Sequence, residues 1–153
     1  NDPAYAEKAK LVSDKTMDIG EFITRQNSEG LAQLASKVKA AIEQERIPGT
    51  IAFHPPCTLQ HGQQLKGVVE NVLTTLGFKL TPVADSHLCC GSAGTYSVLQ
   101  PELSQELKKR KLANLMAGKP QAIASANIGC LGHLEGDATV EVRHWVEWVA
   151  LAV

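Results

Sequence analysis

The sequence predicts an α/β fold: a mainly parallel sheet of about four strands with helices on both faces, behind a helical N-terminal lead-in. Three observations predict it. From Thr50 onward, short β-prone runs alternate with helical patterns. Leu65, Val68, Val69, Val72, Leu73 and Leu76 recur with the period of one helix face, and Gly77 closes that pattern. Ala122 to Ala126 is small and apolar throughout, as a strand covered on both faces can be.

Each element follows from local chemistry. Residues 4 to 12 favour helix, with Asp2 as N-cap and Pro3 at the first helical position. A second short helix is expected from Asp18 to Thr24, and Asn27-Ser28-Glu29-Gly30 reads as a break. Leu31, Leu34, Val38, Ala41 and Ile42 then form a helical stripe that Pro48-Gly49 ends. Thr50 to His54 is a strand stopped by Pro55-Pro56, and Phe78 to Ala84 a second strand. Pro101 opens a helix to about Met116. Residues 130 to 135 are expected to be helical, Val140 to Arg143 a last strand, and a terminal helix starts at Trp145. Trp145 and Trp148 are assigned to the core. The organisation is therefore a helical lead-in over residues 1–49 and an α/β domain over residues 50–153.

Composition excludes several functions. The 153 residues are 44% hydrophobic, enough for a real core, and carry a net charge of −1, which lacks the basic footprint of a nucleic-acid partner. The one basic run, Lys108-Lys109-Arg110-Lys111, reads as a solvated helix face. No apolar stretch approaches the ~18 residues of a membrane span. The opening Asn1-Asp2-Pro3, with no initiator Met, reads as the continuation of something longer. Four cysteines, two of them adjacent, are an unusual way to build crosslinks in a chain of this size. A reducing compartment and functional thiols are expected.

The cysteines carry the chemistry. Cys57 lies three residues after the first strand, Cys89 and Cys90 after the second, and Cys130 after Ala122–Ala126. Parallel strands end at one edge, so three loops should bring all four sulfurs to the same side of the fold, where open α/β sheets bind ligands. His54, His61, His87 and His133 lie near these cysteines. Each alone is more simply a hydrogen-bonded loop residue; together with the thiols they suggest a metal or redox site. The spacing C-x31-C-C-x39-C contains no C-x-x-C pair, so a lone zinc ion is gripped awkwardly. An iron–sulfur cluster, which takes thiolates from spread directions, suits it better. Gly91-Ser92-Ala93-Gly94 has little side-chain bulk and lets backbone N–H groups approach cluster sulfurs.

These residues resemble a known family. His54-Pro-Pro-Cys-Thr-Leu-Gln-His-Gly62, Cys89-Cys-Gly-Ser-Ala-Gly-Thr-Tyr-Ser-Val-Leu-Gln-Pro-Glu102 and Ser125-Ala-Asn-Ile-Gly-Cys130 are similar to the cysteine-rich CCG domain, as is Asp2-Pro-Ala-Tyr-Ala-Glu-Lys-Ala9 in the lead-in. That domain occurs in the cysteine-rich subunit of heterodisulfide reductase and in the iron–sulfur subunits of flavin-linked glycolate and lactate dehydrogenases. The glycolate oxidase (glycolate dehydrogenase) type is the nearer likeness. The resemblance implies an electron-transfer domain, an oxidoreductase component with no catalytic side chain of its own. Its cofactor would be an iron–sulfur cluster of the 4Fe–4S type held by Cys57, Cys89, Cys90 and Cys130, with Gly91 and Gly94 beside it. FAD would sit only in a partner, a glycolate-oxidising flavin subunit. Electrons would pass on to a membrane acceptor from a cytoplasmic complex at the inner face of the membrane. The family pattern ends in C-x-x-C where this chain has Cys130-Leu131-Gly132-His133, so a fifth thiolate is missing and His133 becomes a candidate ligand. Two alternatives stay open: a zinc-stabilised structural or subunit-interaction module, and heterodisulfide-reductase-like thiol–disulfide chemistry at Cys89 or Cys90.

Overall fold

The computed structural model describes residues 2–25 and 28–153. Helices α1 (Pro3–Lys15), α2 (Ile19–Thr24) and α3 (Ser28–Glu43) precede the sheet. Asp2 caps α1, accepting from the Ala4 N–H at 2.9 Å. Asp18 caps α2, accepting from the Gly20 N–H at 2.7 Å, while Glu21 accepts from the Asp18 N–H at 3.1 Å. The expected break is shorter than the composition implies. Ser28, Glu29 and Gly30 already belong to α3, and Asn27 lies outside the described residues. One helical Gly costs only ~1 kcal/mol, and the stripe that buries Val38 and Ala41 outweighs it.

Strands β1 (Thr50–His54), β2 (Lys79–Leu80), β3 (Ala122–Ser125) and β4 (Glu141–His144) form one sheet in the order β2-β1-β3-β4, with every pairing parallel. In register, Ile51 pairs with Leu80 and with Ala122, and Ser125 pairs with both His54 and His144. Helices α4 (Val68–Leu76), α5 (Tyr96–Leu99), α6 (Pro101–Met116) and α7 (Ile128–Glu135) fill the connections, and α8 (Trp145–Ala150) follows the last strand. Two elements are shorter than the sequence pattern suggests. The strand expected over residues 78–84 is only β2: Thr81 still donates to Ile51 O at 3.0 Å, but Pro82 has no N–H to extend the ladder. Helix α4 starts at Val68, because Gly67 stands in the left-handed region at φ 78°. Leu65 packs against the core from the preceding loop. The Gly77 end holds, with φ 112° and a Phe78 N–H donating to Leu73 O at 3.0 Å.

The pleat sorts the core into two faces. Ile51, Phe53, Ala122 and Ala124 meet α3, α4 and both tryptophans on one side. Ala52, Ile123 and Val142 meet Leu112, Leu115 and Leu134 on the other, where Cys90 and Cys130 join the cluster. Trp145 and Trp148 are buried, as expected. Truncating a fully buried leucine such as Leu73 to Ala costs ~2–5 kcal/mol in such a setting. The strand order places the site. The chain leaves β1 toward β2 and leaves β3 toward β4, on opposite sides. The connections diverge between β1 and β3, and a crevice opens at their carboxyl ends. Among the described residues, no helix is long and apolar enough to cross a membrane.

Candidate metal centre

Three loops build the site. After β1, Pro55 and Pro56 stop the ladder and Cys57 opens a wide helical turn, Thr58–Gly62, in which the Gln63 N–H donates to Thr58 O at 2.9 Å. Gln60, buried beneath it, donates through Nε2 to Pro55 O at 2.6 Å and so fixes the approach to Cys57. After β3, Asn127 caps α7: its Oδ1 accepts from the Gly129 N–H at 2.9 Å and the Cys130 N–H at 3.3 Å. That cap puts Cys130 in the first turn of α7, where the helix dipole favours negative charge.

The third loop, between β2 and α5, carries Cys89 and Cys90 and is tethered by α6. Lys111 Nζ donates to Asp85 O at 2.8 Å and Ser86 O at 3.3 Å, and Asn114 Nδ2 donates to Ala84 O at 3.0 Å. Arg110 reaches Asp85 Oδ2 at 2.6 Å and holds that carboxyl below its ordinary range. The basic run is therefore not a uniformly solvated face. Lys111 is 1% exposed, and Lys108 is nearly as buried and paired with Asp137. Loop carbonyls facing α6 need donors, and a long side chain ending in three N–H groups supplies them.

Cys57, Cys89, Cys90 and Cys130 all line one cavity of about 440 Å³, together with Ser92, Ala93, Gly94, Asn127 and Gly129. One water occupies ~30 Å³ of liquid, so this space admits a polyatomic group. Gly94 lines it, with φ 62°. Gly91 stands behind it with φ 99°, where a Cβ would lie 2.3 Å from Ser104 O. Its N–H points at Cys89 Sγ at 3.3 Å and its carbonyl accepts from Ser104 Oγ at 2.8 Å. All four thiols are free.

The thiols differ in environment. Cys130 donates to the Cys90 sulfur, and with the His54 ring and the Ser92 N–H also favouring the anion, Cys90 is brought down to about 4 against the cost of burial. The same contact with Cys90, together with burial, pushes the Cys130 thiol up. Burial and the neighbouring Cys89 push Cys57 up. Burial also pulls the Lys111 ammonium down, and the nearby sulfurs and Asp85 partly restore it.

The histidines separate. His61 and His87 are exposed, and His144 caps α8, accepting from the Val146 N–H at 3.3 Å. His133 lies behind Gly91 with Nε2 3.3 Å from Ser104 Oγ, away from the cavity lining. His54 is the one among the thiols: a ring nitrogen, Cys90 Sγ and Cys130 Sγ lie within 4.8 Å of one another. By sequence alone His54 reads as a loop residue satisfied by hydrogen bonds, yet its buried ring meets no nitrogen or oxygen partner and faces the Cys90 and Cys130 sulfurs instead. Its signal was its position, the last residue of a buried strand at the site edge.

The sulfur arrangement agrees with a comparison against protein families: the model of the cysteine-rich domain CCG matches residues 51–135, from β1 to the end of α7. The chain belongs to the CCG cysteine-rich domain family. Three relatives share its pattern along most of its length. The glycolate oxidase iron-sulfur subunit of Escherichia coli is 46% identical across 100% of this chain, which covers 35% of that protein. The uncharacterized protein YkgE of Escherichia coli is 30% identical over 89% of the chain and 53% of its own length. Lactate utilization protein A of Bacillus licheniformis is 28% identical over 96% of the chain and 60% of its own length. The chain thus spans between about a third and three fifths of these family members.

Proposed function

We propose that this chain is the cluster-binding, electron-transferring part of a flavin-linked glycolate dehydrogenase, with Cys57, Cys89, Cys90 and Cys130 as ligands of an iron–sulfur cluster. The observation that carries the reading is the convergence of four thiols from three loops on one cavity. The donor set fits the group. Four sulfurs are the usual complement of a 4Fe–4S or a 2Fe–2S cluster, and the roomy cavity favours the larger one, 4Fe–4S. The Gly91 N–H on Cys89 Sγ, the dipole of α7 at Cys130 and the Lys111 ammonium all favour an anionic guest. Bound there, the cluster supplies one-electron transfer.

The residues themselves do the holding and tuning. Cys90 and Cys130, buried, keep water from the inner side, while the more open Cys57 and Cys89 stand nearer the surface. Gly91 and Gly94 supply the positive φ the loop needs beside the sulfurs, and at Gly91 the missing Cβ also leaves room for Ser104 O. The likeness to a glycolate oxidase iron-sulfur subunit supports a flavin-containing, glycolate-oxidising partner with FAD in that partner. We place the complex in the cytoplasm, handing electrons to an acceptor at the membrane. Residues 1–49 are the end of a preceding repeat and residues 50–153 the CCG domain itself.

Anaerobic loading with iron and sulfide tests this. Iron and acid-labile sulfide in equal amounts, near four of each per chain, with a reducible spectrum, are expected. Stoichiometric zinc uptake without sulfide binding would make the site structural instead.

A further inference from the structure

His133 ends the segment Cys130-Leu131-Gly132-His133, where the sequence pattern invites a metal ligand. Its place in the structure gives it another task. Its ring meets α6 behind Gly91, with Nε2 3.3 Å from Ser104 Oγ. Ser104 is fully buried, and its Oγ donates to Gly91 O at 2.8 Å. A hydroxyl has a single proton to donate. Ser104 gives that proton to Gly91 O, so toward His133 its oxygen accepts, and Nε2 carries the hydrogen.

A chain of donors therefore runs from α7 through α6 into the loop between β2 and α5. Gly91 O belongs to the peptide group whose N–H is that of Ser92, and the Ser92 N–H bonds the Cys90 sulfur. The N–H of Gly91 itself lies 3.3 Å from Cys89 Sγ. Holding Gly91 O thus holds the backbone donors of both adjacent cysteines. Donation into a peptide carbonyl also polarises that peptide, and its N–H becomes a stronger donor. N–H groups on ligand sulfurs favour the electron-rich, reduced cluster and raise its potential.

We propose that His133 and Ser104 are positioning residues for the cluster: acting through the Gly91–Ser92 peptide, they aim and strengthen the backbone donors at Cys89 and Cys90, and raise the reduction potential without binding metal. This rests on the iron–sulfur reading above. It gives His133 a role at the site that leaves the four thiols as the ligand set.

Potentiometric titration of the iron- and sulfide-loaded protein tests the proposal, with iron and sulfide content measured on the same samples. His133→Phe and Ser104→Ala are each expected to keep the parent's iron and sulfide and to shift the potential downward. The double variant should shift no further than Ser104→Ala, because His133 acts only through Ser104. His133→Gln, which can present an N–H at similar reach, should bring the potential back toward the parent's. In the metal-free chain, amide exchange at Gly91 and Ser92 should be roughly two- to tenfold faster in His133→Phe than in the parent. An unshifted potential or unchanged exchange in His133→Phe overturns the inference. Loss of iron from both His133→Phe and His133→Gln also overturns it and makes His133 a ligand. His133 is half-buried, so His133→Phe decides the matter even if Ser104→Ala fails to fold. Failure of the unsubstituted protein to take up iron and sulfide would instead remove the cluster reading, and this inference with it.

Discussion

Cys89 and Cys90 are neighbours in the chain and live in different worlds. Cys89 is half-buried at the outer part of the cavity, near Cys57 and capped by the Gly91 N–H. Cys90 is 1% exposed, belongs to the apolar cluster under α6 and α7, and faces Cys130 and His54. Successive side chains point apart, so one Cys-Cys step spans the site from its mouth to its floor. The difference teaches how the fold can grip a group larger than one ion. The floor is made of elements fixed by the core, and the mouth of loops fixed by hydrogen bonds to α6 and by the turn after β1.

The contrast can be broken most sharply at the floor. Cys130→Ser is expected to abolish cluster uptake, with iron content falling to background, while circular dichroism of the metal-free chain stays close to the parent. Retained iron would show that the floor is not a ligand position. Next in size is Gly91→Ala. Its φ of 99° and the 2.3 Å approach of a Cβ to Ser104 O predict a loss of ~2–4 kcal/mol in denaturant unfolding. An unchanged midpoint would mean that the loop relaxes freely.

A smaller effect separates mouth from floor directly. In the metal-free chain, iodoacetamide should modify Cys57 and Cys89 at least tenfold faster than Cys90 and Cys130, because access outweighs thiolate character at a buried sulfur. Mass spectrometry of the labelled peptides reads the order, and preferential labelling of Cys90 would reverse the assignment. Lys111→Met should lower the reduction potential of the loaded cluster, since a buried cation near the sulfurs favours the electron-rich state. It should also loosen the loop at Asp85 and Ser86. A potential equal to the parent's would confine Lys111 to tethering. The smallest change is expected at Arg110→Ala. Asp85 titrates low because of Arg110, so any support from the pair is present above the ordinary carboxylate range and lost as pH falls through the lowered value. The pair is exposed and screened, so Tm at neutral pH should be unmoved.

Much of this was legible in the residues. Strand order alone brought Cys57, Cys89, Cys90 and Cys130 to one edge, because parallel strands share their carboxyl ends and the cysteines follow the strands closely. Periodicity found α3 and α4, and Pro101 marked the start of α6. What it missed were polar residues at buried positions. Lys108 and Lys111 stand in the same stripe as Ser104, Leu112 and Leu115, so the face of α6 that touches the sheet is interrupted by charge and reads as weakly amphipathic. Spacing held the clue, but only the facing loop carbonyls explain why a lysine belongs there. His54 looked like the polar end of a strand, and its significance depends on the distant Cys90 and Cys130. The span of β2 was overestimated because Pro82 lies inside an otherwise β-prone run.

X-ray absorption at the iron edge of the anaerobically loaded protein tests the central claim most directly. A gathered set of thiols holding a cluster predicts a first shell dominated by sulfur together with an iron–iron scattering path, both lost in Cys130→Ser. An isolated metal atom with no metal neighbour, or the same spectrum in Cys130→Ser as in the parent, would contradict it.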